Sequence, residues 1–223
     1  MSLYYTLGYF LFLGLFFSLF GFKPALVWYA ISFTIGGIPF GYLIAKYVAG
    51  IDITQVGSGN IGATNVLRAL KEIDPQKAKK LAILTLVLDA LKGALPILIA
   101  KMMGVCPAVL WGMAVLAVLG HCFSPFMKFE GGKGVATTLG ALIVLVPWAV
   151  ILGVVVWAVV AKTLKISSVA SLAGLIAGVI GVYLFYPNLP IDSHAPIWII
   201  LVVVIYKHRQ NIYRLLTGRE KRV

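Results

Sequence analysis

Apolar residues in this chain gather into long unbroken runs instead of alternating or repeating along one helical face. The runs lie at about 4–22, 25–48, 79–103, 107–126, 134–146, 148–162, 168–185 and 196–206. Several approach the ~20 residues an α-helix needs to cross a hydrocarbon core of about 30 Å. The pattern predicts an all-α fold: a polytopic transmembrane bundle of about eight helices forming a single domain over 1–223. The stretch 135–161 reads as one long tilted helix or as two short ones broken at Pro147, where proline removes a backbone donor and disfavours a helical residue before it, and charge asymmetry selects the break. At 1.5 Å per residue such short helices fall below ~25 Å, so the loops next to them are expected to sit beneath the membrane surface. No repeat of fixed period and no low-complexity linker divides the chain.

Charge sharpens the topology. The 223 residues are 61% hydrophobic and 12% charged, with a net charge of +12. With a break at Pro147, 16 of the 19 lysines and arginines fall on one side, leaving Lys23 and Lys101 opposite and Lys92 within the membrane. The positive-inside rule then places that basic side and both termini in the cytoplasm. Dispersal of the basic residues between spans argues against nucleic acid as a partner and for anionic lipid and an anionic substrate. The first run lacks a basic leader and a small-residue cleavage site, so it is expected to be a retained helix. Cys106 and Cys122 lie ~24 Å apart along one helix, too far for a disulfide within it.

Three polar islands interrupt the apolar pattern, all on the basic side. The first, GSGNIGATNVLR at 57–68, combines Gly57, Gly59 and Gly62 with Ser58, Asn60, Thr64 and Asn65 before Arg68. A helix beginning near residues 60–63 sets Thr64, Asn65 and Arg68 on adjacent faces, towards whatever the glycine turn holds. The second, FEGGKGVATT at 129–138, runs from Gly131, Gly132, Lys133 and Gly134 into an apolar helix, so backbone NH groups, the helix dipole and a lysine are expected to meet a small anion. It is not a Walker A loop, since Gly134 follows the lysine where Ser or Thr is required. His121 precedes it, as either a snorkelling interfacial side chain or a site group. The third, KHRQNIYRLLTGRE at 207–220, aligns Lys207, Asn211 and Arg214 on one stripe and His208 with Asn211 on the next. Glu220 is expected to pair with an arginine.

Asp89 and Lys92, at i and i+3 inside a span, neutralise each other or form a relay. Ser167, Ser168 and Ser171 enter the membrane at a helix start, where they cap the helix or donate to phosphate. No His/Cys/Asp/Glu cluster has metal-ligand spacing, no Ser-His-Asp set is visible, and no cofactor is implied. Cations, amides and backbone NH groups remain, and they suit a reaction whose donor is already activated and whose leaving group is a phosphate. A transporter for phosphorylated metabolites is the rival, although no inverted repeat is visible.

SGNIGATN followed by Arg68, GH-x-F at 120–123 with F-x-GGKGVAT at 129–137, and HR-x-NI-x-RLL-x-G-x-E at 208–220 resemble the three motifs of the bacterial acyl-phosphate:glycerol-3-phosphate acyltransferases. The resemblance runs from about Ile35 to the C-terminus. It implies a core of seven transmembrane helices, to which this chain adds an N-terminal helix within 1–24. It also implies acyl transfer from a fatty acyl phosphate to the 1-hydroxyl of sn-glycerol 3-phosphate, giving lysophosphatidic acid at the cytoplasmic face of the bacterial inner membrane. Ser58, Arg68, Lys133, His208 and Asn211 are then the catalytic candidates. Asn60, Thr64, Asn65, Gly131, Gly132, Gly134 and Ser168 are the substrate-binding candidates.

Overall fold

A computed structural model of the chain describes residues 2–220. Lys221 and Arg222, counted above on the basic side, lie outside the described residues. In order, the α-helices are α1 (Leu3–Phe20), α2 (Pro24–Gly37), α3 (Phe40–Ala49), α4 (Ala63–Lys71), α5 (Pro75–Met102), α6 (Pro107–Cys122), α7 (Val135–Ile143), α8 (Pro147–Leu164), α9 (Ser167–Phe185), α10 (Ala195–Lys207) and α11 (Arg209–Leu216). No strand occurs among the described residues. Six segments are long and apolar enough to cross a membrane, counting α2 and α3 together as one.

The apolar runs map onto α1, α2 with α3, and α5 to α10, so the eight predicted runs are all helical. The break at Pro147 is observed: α7 ends at Ile143 and α8 begins at Pro147. With 9 residues, α7 reaches only ~14 Å and does not span a hydrocarbon core alone. One run differs from expectation, because 25–48 is divided at Ile38 and Pro39. The carbonyls released there find buried donors. Lys92 Nζ donates to Ile38 O at 2.6 Å and Ser124 Oγ to Gly37 O at 2.6 Å. An interrupted helix persists inside a membrane only when neighbouring groups satisfy the freed backbone in this way.

Small residues set the helix crossings. A Cβ on Gly36, Gly120, Gly93 or Gly140 would run into the backbone of the facing helix, so α2 lies tightly on α6 and α5 on α7. Without a hydrophobic driving force between helices in lipid, such close approach supplies the dispersion contact that holds them. α8 and α9 pack together most extensively, along a seam of Gly153, Gly174 and Gly181.

α1 stands apart from this core. Its side chains are largely exposed, but its first half touches the loop after α6: Ser2 N–H donates to Phe126 O at 3.0 Å and Tyr9 packs edge-on to Phe126. Tyr9 also shares a 2.5 Å hydrogen bond with Thr34 on α2. Cys106 and Cys122 are both free thiols.

Candidate active site

The first island forms a loop closed by one carboxamide. Asn65 Nδ2 donates to the carbonyls of Ile53, Val56 and Asn60 at 2.8–3.2 Å, and Asn65 Oδ1 accepts from Ser58 N–H at 2.9 Å. Asn65 is 2% exposed, so it organises the loop from within. α4 begins at Ala63, as the spacing predicted. Thr64 faces the N-terminus of α9, where its hydroxyl shares a 3.0 Å hydrogen bond with Ser167 Oγ.

The second island is held by backbone. Gly131 and Gly132 donate their NH groups to the carbonyls of Cys122 and His121, at 3.1 and 3.0 Å. These donors were expected to face an anion, and the pairing with α6 occupies them instead. A Cβ at either position would overlap His121, its carbonyl for Gly131 and its imidazole for Gly132. Gly134, at φ +85°, turns the chain into α7, whose first-turn NH groups have no acceptor within the helix.

The third island bends at His208, the single residue between α10 and α11. His208 Nδ1 lies 2.7 Å from Val204 O. A carbonyl oxygen only accepts, so the proton sits on Nδ1 and leaves Nε2 an acceptor. Asn211, which helical spacing set on one stripe with His208, donates its Nδ2 to Glu220 Oε1 at 2.6 Å. The same oxygen accepts from Ser168 Oγ at 2.7 Å, and Oε2 accepts from Arg214 Nε at 2.7 Å. Glu220 therefore pairs with an arginine as predicted and also ties α9 to α11.

One cavity of about 360 Å³ joins the islands. Its polar mouth is lined by Ser58, Asn60, Thr64, Asn65, Arg68, Lys133, Gly134, Ser168, His208, Asn211 and Glu220. Gly131 and Gly132, by contrast, buttress the cavity from behind without lining it. Beyond the mouth the lining turns apolar, through Leu139, Leu142, Val179, Val182, Ile197 and Ile200. Asp89 and His121 also border it, where sequence reasoning left their roles open. Lys92 Nζ is 2.7 Å from Asp89 Oδ1, the predicted i, i+3 pair, and His121 Nδ1 is 3.7 Å from the same oxygen. At 4% exposure His121 does not snorkel. Only the fold could reveal this, because the partner carboxylate is 32 residues away in sequence.

Electrostatics divide the mouth. Burial pushes the Lys133 ammonium down to about 8; Glu220 opposes that shift while Arg214 and Arg68 reinforce it. The group stays cationic at neutral pH. Burial, reinforced by Lys133, takes His208 down to about 4, so its imidazole is neutral. Burial raises Glu220, but hydrogen bonds from Arg214, Asn211 and Ser168 outweigh it and hold the carboxyl below its usual range. The mouth thus presents cations and neutral acceptors around the Glu220 carboxylate, which itself accepts from Arg214, Asn211 and Ser168. Among the described residues no serine is hydrogen-bonded to a histidine and no three His, Cys, Asp or Glu cluster to hold a metal.

These features define an integral membrane helical protein with a cation-lined mouth on an apolar cavity. The chain belongs to the glycerol-3-phosphate acyltransferase family, whose model matches residues 26–218. It is 57% identical over 202 residues to the glycerol-3-phosphate acyltransferase of Wolinella succinogenes, covering 90% of this chain and 97% of that one. It is 55% identical to that of Nitratiruptor sp., with the same coverage. Its fold is similar to the crystal structure of PlsY (YgiH), an integral membrane glycerol 3-phosphate acyltransferase, in its glycerol 3-phosphate form. The TM-score is 0.81 at 38% identity, covering 90% of this chain and 96% of that one. The lysophosphatidic acid form of the same protein gives a TM-score of 0.78 at 39% identity, covering 90% and 95%. α1 lies before the region that the family model matches.

Proposed function

We propose that this chain transfers a fatty acyl group from an acyl phosphate to the 1-hydroxyl of sn-glycerol 3-phosphate, releasing lysophosphatidic acid and phosphate. The work is done at the cytoplasmic face of a bacterial inner membrane, by a single domain carrying α1 as an addition. One observation carries the reading: a cavity whose cationic mouth, at Arg68 and Lys133, opens directly into an apolar interior. Such a shape suits a donor that joins a phosphate head to a hydrocarbon chain. The family and the ligand-bound forms of PlsY support glycerol 3-phosphate as acceptor.

Arg68 and Lys133 hold the two phosphates, with Ser58, Asn60 and Thr64 supplying neutral hydrogen bonds. Gly134 and the first turn of α7 offer NH groups and the positive end of a helix dipole to the donor head. Held together, the hydroxyl oxygen attacks the acyl carbon directly; the new C–O bond forms as the bond from that carbon to the phosphate oxygen breaks, and the electron pair leaves with the phosphate. His208 Nε2 accepts the hydroxyl hydrogen bond and orients the nucleophile. With a conjugate acid near 4 it is a poor final base. A phosphate oxygen, whose second ionisation lies near ~6 in a phosphoryl monoester, takes the proton. Asn211 and Glu220 position the segment that carries His208. No covalent enzyme intermediate is needed, because the donor is already activated.

The test is turnover by the purified protein in detergent, without any gradient. Palmitoyl phosphate with glycerol 3-phosphate is expected to give lysophosphatidate and phosphate in equal amounts, and palmitoyl-CoA none. Equal or greater activity with palmitoyl-CoA would overturn the donor assignment.

A further inference from the structure

The seam between α8 and α9 contains four glycines, and three of them are explained by packing. A Cβ on Gly153 would lie 2.7 Å from Gly174 O, one on Gly174 2.8 Å from Gly153 O, and one on Gly181 2.9 Å from Ala149 Cα. Those separations are shorter than real side chains tolerate, so the helices need glycine there. Gly178 is different. A Cβ at Gly178 would meet nothing nearer than Ala149 O at 3.8 Å, an ordinary contact. Its φ also lies in the range open to any residue, since it is absent from the positive-φ glycines. Neither helix approach nor backbone conformation requires glycine at 178, yet the position borders the apolar part of the cavity.

We infer that Gly178 is a specificity-determining position: it keeps the cavity open for the terminal carbons of a long saturated acyl chain. The proposal rests on the acyl-donor reading above and adds where chain length is measured. Ser168 marks the polar mouth through its hydrogen bond to Glu220. Gly178 lies ten residues further along α9, roughly 15 Å deeper at 1.5 Å per residue. An extended hydrocarbon of ~1.5 Å bonds at near-tetrahedral angles advances about 1.25 Å per carbon, so this depth corresponds to roughly twelve carbons. Val182, buried at one further turn, lies at the depth of a palmitoyl or stearoyl terminus. Branched bulk at 178 therefore leaves room for a lauroyl chain and obstructs a palmitoyl one.

The experiment compares wild type, Gly178→Ala and Gly178→Leu with saturated acyl phosphates from octanoyl to stearoyl, measuring kcat/KM for each donor and thermal unfolding in detergent. Gly178→Leu is expected to lower kcat/KM for palmitoyl phosphate at least about tenfold relative to lauroyl phosphate, with the smaller alanine giving a shift in the same direction. Gly181→Ala, at a seam glycine outside the cavity lining, is the contrast, expected to lower the unfolding temperature without altering the ratio between donors. An unchanged palmitoyl-to-lauroyl ratio in both Gly178 variants overturns the proposal. So does a loss in Gly178→Leu that is equal for every chain length and accompanied by no shift in Gly178→Ala. Wild type inactive with every acyl phosphate marks failure of the donor reading instead. The same series run with acyl-CoA donors then reads the Gly178 effect independently of it.

Discussion

Two glycine-rich loops flank the cavity mouth, and opposite means hold them in place. The loop at 57–65 is shaped by the Asn65 side chain, whose carboxamide gathers three carbonyls and one NH. The loop at 131–134 is shaped by backbone pairing with the end of α6; Gly131 and Gly132 are there because His121 leaves no room for a side chain, and Gly134 because of its φ of +85°. The first loop therefore depends on one polar residue and is forgiving at some glycines. The second depends on the glycines themselves. The same composition encodes two mechanical designs, and substitutions separate them.

The largest effect is expected in the second loop. Gly132→Ala drives a methyl into the His121 imidazole, and a displacement near 1 Å at Lys133 lowers kcat/KM by about 100-fold. Next comes Asn65→Ala in the first loop, which leaves buried carbonyls without donors at a cost of about 2–3 kcal/mol and lowers kcat/KM roughly 30-fold or more. Arg68→Ala removes a forked cation worth about 1.5–3 kcal/mol in charge-assisted bonding, so KM for glycerol 3-phosphate rises at least about tenfold. Near-normal kinetics in Gly132→Ala would show that the second loop does not depend on its glycines, in Asn65→Ala that the first does not depend on its carboxamide, and in Arg68→Ala that the first loop's cation does not hold glycerol 3-phosphate. Gly59→Ala is expected to be mildest of the four. Its φ of +67° costs a side chain about 1–2 kcal/mol, and the added Cβ meets only Thr54 O at 3.1 Å.

pH sharpens the same contrast, because a lysine titrates where an arginine does not. Lys133 in the free protein ionises near 8, so kcat/KM falls as pH rises through that value and the site loses a cation from the second loop alone. Lys133→Arg is expected to keep its activity flat through that range, whatever its level. His208 ionises near 4, well below the ~6 of a phosphoryl monoester. The acidic limb of the profile is therefore set by substrate and persists unchanged in His208→Gln. A limb that disappears in this variant would return the proton to the histidine.

Much of the architecture is legible in the chain because lipid imposes local rules. Apolar runs, the break at Pro147 and the Asp89–Lys92 pair follow from hydropathy, proline geometry and helical spacing within a few turns. The three islands share one cavity, a convergence that basic-residue asymmetry and the ordered motifs foreshadow. What escapes the sequence depends on contacts between distant segments. Nothing near Asn65 indicates that its carboxamide is taken up by the loop's own backbone while Thr64 and Arg68 border the same cavity. Asn211 and Glu220 meet only because α11 ends and the chain folds back, and the occupied NH groups of Gly131 and Gly132 follow from the end of α6. The interruption at Pro39 was a local signal, and its tolerance inside an apolar run depends on the distant donors Lys92 and Ser124.

The proposed reaction needs both phosphorylated reactants in the mouth together and no covalent protein intermediate. Release of phosphate from palmitoyl phosphate, followed with and without glycerol 3-phosphate over a matrix of both concentrations, tests this most directly. Direct transfer between two bound reactants gives intersecting double-reciprocal lines and no phosphate burst until glycerol 3-phosphate is added. Parallel lines, with a burst of phosphate stoichiometric with protein in its absence, would contradict it.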